Sequence, residues 1–233
     1  NSMQVIQSNC CVLNGDEFEY MCLQANGMYG EISGYHFSRS LDVIYSCLAK
    51  YSRVCAIRVD LRFAQDSWAG DPDLPTCFQR TDSKVITRFF ESLKSQLKEE
   101  HRRKGITRAV ALPDYIWVRE QDGSIFPHYH LVLLFNKDVY AYLGNYQDHD
   151  AVNMANRIRK AWCSALGLNF PEYASLVHFP KNPTYIISRN DASVRSQSYR
   201  DFLLRIAYLA KERTKYTGDG QRSFGCSQLE MPS

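Results

Sequence analysis

A chain of 233 residues with 45% hydrophobic and 13% aromatic residues suits a globular core, one large domain or a domain with an appendage. The 28 Lys+Arg against 25 Asp+Glu leave a formal net charge of only +3, so any nucleic-acid surface must be a local basic patch. No apolar run approaches the roughly 20 residues that span a bilayer, the start shows no basic segment leading into an apolar one, and the eight cysteines form no C-x-x-C pair and no zinc-finger spacing. The expectation is therefore a cytoplasmic chain without membrane contact, its thiols reduced and partly buried.

Up to about Ser33, the short apolar pieces and the Asn14-Gly15, Asn26-Gly27 and Gly30 signals read as turns and a hairpin. From Phe37 to Tyr51 the pattern is helical, with Leu41, Ile44, Tyr45 and Leu48 as its apolar stripe and Ser38 or Ser40 as cap. Val54 to Phe63 reads as a strand. Its first half is continuously apolar, as in a central strand. Its second half alternates, with Arg58, Asp60 and Arg62 on one face. A loop around Gly70 to Pro75 follows. An amphipathic helix then starts at Thr81 or Asp82 and runs to about Arg103, where Gly105 ends it.

Ala109 to Leu112 and Tyr115 to Glu120 are strand-like, Gln121-Asp122-Gly123-Ser124 is a turn, and Ile125 to Phe135 completes a hairpin. Asn136 to Gln147 is a loop or short helix. A helix from Val152 to Leu166 puts Met154, Ile158, Ala161 and Trp162 inside and Arg157, Arg159 and Lys160 outside, and Gly167 stops it. Short strands at Leu176 to Phe179 and Tyr185 to Ile187 are separated by prolines. A last helix runs from about Ser198 to Lys215. This order implies an α+β fold: a central antiparallel sheet with helices packed against it.

The chemistry centres on His128-Tyr129-His130. On a strand, residues two apart share a face, so the two imidazoles project together. An H-x-H pair alone is commonly incidental. Glu120 sharpens it, because across a hairpin with an odd-length loop all three even-numbered residues lie on one face. A His/His/Glu site with open positions suits Mn²⁺ or Mg²⁺ when phosphate oxygens complete the shell, and Zn²⁺ is chemically possible. In the last helix, Tyr208 and Lys211 are three apart and neighbours on the helix surface, with Lys215 continuing that face. A phenol with its ordinary pKa of about 10 is a poor nucleophile, and a nearby ammonium helps it. Tyr199 and Tyr216 are rivals for that role.

Glu120, His128-Tyr129-His130 and Tyr208-Leu209-Ala210-Lys211, in this order after the strand through Asp60, resemble the HUH endonuclease superfamily in its rolling-circle replication-initiator arrangement. Arg58-Val59-Asp60-Leu61-Arg62, Trp117-Val118-Arg119-Glu120, Thr214-Lys215 and Arg222-Ser223-Phe224-Gly225 bring the resemblance closer, to the inovirus-type gene II replication proteins and the YagK/YfjJ C-terminal domain family of phages and mobile elements. It covers about Tyr51 to Ser227. It implies an endonuclease domain over residues 51–227, an N-terminal extension over 1–50 packing on that core, and a tail over 228–233. It further implies a nickase and strand transferase in which His128, His130 and Glu120 hold Mn²⁺ or Mg²⁺. Tyr208 would be the nucleophile and Lys211 its charge partner, leaving a 5′-phosphotyrosyl link and a free 3′-hydroxyl.

Asp60 would be an extra ligand or an orienter of the metal site, or else an ion-pair partner of Arg58 or Arg62. Single-stranded or hairpin DNA at a replication origin is the implied partner. Arg58, Arg62, Lys215 and Arg222 are candidate contacts, as are Arg189, Arg195 and Arg205, and Tyr115, Trp117 and Tyr185 are candidate stacking groups. No Walker-type phosphate loop is present, so unwinding would fall to a host helicase. The alternatives are a non-cleaving origin- or hairpin-binding module and a small-molecule metallophosphoesterase. His149 and His178 have no evident partner in the sequence.

Overall fold

The structure, a computed structural model, describes residues 10–64, 78–121, 123, 125–140, 144, 153–212 and 220–229. The loop expected around Gly70 to Pro75, half of the 136–147 segment, His149, Lys215 and Tyr216 lie outside these residues.

The helices α1 (Gly15–Tyr29) and α2 (Gly34–Lys50) come first, then the strand β1 (Arg53–Leu61), the helix α3 (Val85–Arg103) and the hairpin strands β2 (Asp114–Glu120) and β3 (His128–Asn136). The helix α4 (Met154–Leu166) follows, then the short strands β4 (Val177–His178) and β5 (Thr184–Ser188), the helices α5 (Arg189–Ser193) and α6 (Gln197–Leu209), and the strand β6 (Phe224–Cys226). The six strands form one sheet in the order β4-β1-β3-β2-β6, with β5 also paired to β1, and every pairing is antiparallel. The expected α+β class with a central antiparallel sheet flanked by helices is what forms.

Alternation along the strands divides the core in two. On one face Cys55, Ile57, Val59 and Leu61 of β1 and Leu131, Leu133 and Phe135 of β3 pack under α3 and α4. Here Trp162 is fully buried and donates from Nε1 to the Arg62 carbonyl at 2.7 Å, tying α4 to the end of β1. On the other face Val54, Ala56, Ile116, Val118, Val132 and Leu134 pack under α1, α2 and α6.

Several elements depart from the sequence reading. Residues 15–29 form α1, not a hairpin. Asn14 is its N-cap, and a reciprocal pair of hydrogen bonds joins Asn14 and Glu17 as a capping box. Periodicity hid this helix because only Met21 and Ala25 are buried along it. The helix α3 starts at Val85, while Asp82 forms a two-pronged ion pair with Arg88 instead of capping. Residues 109–112 and 125–127 are not strand. The helix α6 ends at Leu209, six residues before Lys215. Arg159 is buried rather than outside. Its Nη1 donates to Asn156 Oδ1 at 3.1 Å, and its guanidinium lies 5.3 Å from the Phe179 ring, because the segment after β4 wraps over α4. Neither β6 nor α5 was expected from the sequence. The strand β6 is three residues long, too short for a periodic signal.

That short strand depends on one glycine. Gly225 pairs with Trp117, and a Cβ there would overlap the indole. Replacing Gly225 with Ala must push Trp117 off the sheet. We expect a loss of about 1–3 kcal/mol of stability, the usual range for overpacking, measured by urea unfolding. An unchanged unfolding midpoint would show that β6 does not need this contact.

Candidate active site

The site grows from strand register. The hairpin pairs Glu120 with His128 and Val118 with His130, while β1 lies on the other side of β3 with Asp60 opposite His130. Directly opposed residues share a face. Asp60, Glu120, His128 and His130 therefore converge on the side covered by α1, α2 and α6.

His130 is the hub. Its Nδ1 lies 2.6 Å from Asp60 Oδ1, and its Nε2 lies 3.0 Å from Glu120 Oε2 and 3.1 Å from His128 Nε2. One ligand atom from each of Glu120, His128 and His130 can be chosen so that all lie within 4.8 Å of one another. The donor set fits a divalent cation: two imidazole nitrogens and a carboxylate oxygen, with one ring held from behind by a second carboxylate, as ligating histidines usually are. Asp60 is not in that ligand group. Its oxygens go to His130 Nδ1 and, at 3.3 Å, to His178 Nδ1, and neither Arg58 nor Arg62 pairs with it. Asp60 thus contacts two imidazoles and neither neighbouring arginine. His178 was missed because β4 reaches β1 from more than a hundred residues away, opposing His178 to Asp60.

Electrostatics follow from these contacts. Burial pulls the His130 imidazole down, but the hydrogen bonds and charges of Asp60 and Glu120 outweigh it and push the pKa up to about 9. His128 moves the other way, lowered by burial and then by the charge of His130. Burial pushes the Asp60 carboxyl up, yet its bonds to His130 and His178 leave it below the usual range.

Tyr208 and Lys211 reach this cluster from the end of α6. Lys211 Nζ donates to Tyr208 Oη at 2.9 Å and lies 3.7 Å from Glu120 Oε2, and the Tyr208 and His130 rings are 6.3 Å apart. The chain that follows α6 is fixed by the linker between α1 and α2. Ile32 and Lys211 form a β-bridge, Ser33 N–H donates to the Ala210 carbonyl at 2.7 Å, and Glu212 N–H donates to the Glu31 carbonyl at 3.0 Å. Tyr199 sits at the opposite end of α6, fully buried with its hydroxyl on the Cys11 carbonyl, so it does not approach the triad.

The remaining sequence candidates separate. Arg58 lies on the face of the triad by register, and the charge of Arg62 acts on His128. Arg222 stands over Trp117 on the opposite face, its Cζ 5.8 Å from the ring. Arg189 and Arg195 are structural. Arg189 donates to the Leu48 and Ala49 carbonyls, and Arg195 grips Glu17 with two nitrogens at 2.8 and 3.1 Å. Among the aromatics, Trp117 packs against Tyr129 and Tyr115 stacks on Phe90, both in the core on the α3 side.

A proton on His130 Nε2 competes with a cation. Below the raised pKa of about 9, divalent-ion affinity should rise about tenfold per pH unit, with about one proton released per ion bound. Calorimetry with Mn²⁺ in buffers of different ionisation enthalpy between pH 7 and 8 reads this release. Binding that is independent of pH would exclude His130 Nε2 as a ligand. In the metal-free chain the sign is opposite. The folded pKa exceeds the ordinary value near 6.5, so this group's stabilisation is complete below that pH and is lost as pH rises through about 9.

The model of the YagK/YfjJ C-terminal domain matches residues 16–227, which takes in α1 and α2 as well as the sheet. The uncharacterized protein YagK of Escherichia coli (strain K12) is 40% identical over 185 residues, 78% of this chain and 86% of that protein. The uncharacterized protein YfjJ of the same organism is 36% identical over 207 residues, 86% of this chain and 97% of that protein. No solved structure matches significantly. On this evidence the chain belongs to the YagK/YfjJ C-terminal domain family.

Proposed function

We propose that the chain nicks and rejoins single-stranded DNA at a specific site, as the initiator of replication of a phage or mobile element, through a covalent tyrosine intermediate. The observation that carries this reading is the junction at Lys211, which binds the Tyr208 hydroxyl and approaches Glu120 at the same time. A candidate nucleophile, a cation and a cation-holding triad thus share one face.

Glu120, His128 and His130 would hold Mn²⁺ or Mg²⁺, whose charge polarises the scissile phosphate and aligns it for in-line displacement. Asp60 keeps Nδ1 of His130 protonated and turns Nε2 into the site. Tyr208 Oη attacks phosphorus and loses its proton to solvent, while the Lys211 ammonium donates to the phenolic oxygen as negative charge develops. The P–O3′ bond breaks, the leaving 3′-oxygen takes a proton from water, and the 5′-phosphate stays on Tyr208. A free 3′-hydroxyl attacking that phosphotyrosine reverses the step and joins strands. The partner is single-stranded or hairpin DNA at an origin, opened by a separate helicase. Among the described residues, no helix is long and apolar enough to cross a membrane.

The test is a labelled origin-containing single strand with Mn²⁺, run on a denaturing gel for a protein–DNA adduct. Tyr208→Phe should abolish the adduct, and persistence of the adduct excludes Tyr208 as nucleophile. His128→Ala with His130→Ala should abolish cleavage, as should a chelator. Lys211→Met should slow adduct formation by about 10²-fold, the usual cost of one donor to a developing anion. Binding without cleavage by the intact chain in Mn²⁺ would favour a non-cleaving DNA module.

A further inference from the structure

Along the site face, β1 and the residue after it present Arg58, Asp60 and Arg62 in alternation. Both oxygens of Asp60 are occupied by imidazoles. The arginines on either side form no ion pair among the described residues. Arg205, one turn before Tyr208 on α6, adds a third guanidinium, with Cζ 5.9 Å from the Tyr208 ring. Among the described residues, the side chains of Arg58, Arg62 and Arg205 make no hydrogen bond and no ion pair, whereas Arg53, Arg88, Arg157 and Arg195 each hold a carboxylate. Like charges gathered beside a cleft repel one another until an anion joins them.

Tyr29 completes the group. Its ring meets the edge of Tyr208 at 5.1 Å. Burial raises its phenol, and the charges of Arg205 and Arg58 oppose that shift. Tyr29 and both guanidiniums are half-buried, neither sealed in the core nor fully solvated.

We propose that Arg58 and Arg205, with Tyr29 beside them, form a phosphate subsite separate from the metal-holding triad, taking a backbone phosphate of single-stranded DNA next to the scissile one. This rests on the reading of the site as a nicking centre. Arg62 takes the strand on the far side of Asp60. The four-residue spacing from Arg58 to Arg62 spans about 13 Å at roughly 3.3 Å per strand residue. That spread suits an extended polyanion better than a single phosphate. Tyr29 and Tyr185, half-buried on the same face, offer rings to its bases.

The probe is fluorescein-labelled oligothymidylate, followed by anisotropy in EDTA across a salt series, so that no cleavage intervenes. Arg58→Ala with Arg205→Ala should weaken binding at least tenfold at low salt. It should also flatten the plot of log affinity against log salt by about 0.7, the change for one lost phosphate contact on a single strand. Lysine at both positions should keep the wild-type slope, which separates lost charge from lost fold. Arg102→Ala with Arg103→Ala, whose side chains pair with Glu99 on α3, should bind as wild type does. An unchanged slope in the Arg58/Arg205 alanine variant overturns the subsite, even if Mn²⁺-dependent nicking by the intact chain is observed. A slope that depends on these arginines in a chain that never nicks keeps the subsite and removes the nicking reading.

Discussion

The hydrogen bond between His130 Nδ1 and Asp60 is the contact on which the site depends. It crosses from β3 to β1, so it exists only while those strands keep their register. It also decides which imidazole nitrogen faces Glu120 and His128. A one-residue slip of β3 would turn both histidines into the face now filled by Leu131 and Leu133. The packed side chains under α3 and α4 therefore hold the chemistry on the other face in place.

Charge is distributed around His130 in alternating sign. Asp60 and Glu120 flank the imidazole, and Lys211 stands beyond Glu120. Two carboxylates this close to each other are tolerable when buried because cations separate them. That alternation ends at Arg58, Arg62 and Arg205, which form no ion pair among the described residues. The balanced part of this face is interior, and the unbalanced part borders solvent.

Much of the site was legible because strand parity is a local rule. The two-residue spacing of His128 and His130 and the odd-length loop back to Glu120 fixed their common face without tertiary information. The i, i+3 spacing of Tyr208 and Lys211 likewise put them together, even though α6 closes at Leu209 and a turn carries the lysine. Less legible was anything whose partner is remote. His178 and the Glu31–Ser33 linker carry no local signal of what they touch. Arg159 read as solvent-facing because its burial depends on Phe179, twenty residues away. The helix α1 escaped because a helix that buries only two side chains shows little periodicity, although its Asn14–Glu17 capping box was there to read.

By itself the sequence determined the α+β class, the strands β1 to β3, the amphipathic helices α2 to α4 and the shared face of Glu120, His128 and His130, since each follows from spacings within one element or one hairpin. Only the tertiary structure decided that Asp60 grips His130 rather than an arginine. It also set Tyr208 instead of Tyr199 beside the triad, and put Arg222 on the opposite face from Arg58. These are choices among partners distant in the chain, and close packing of the two layers around the sheet admits one set of neighbours at a time.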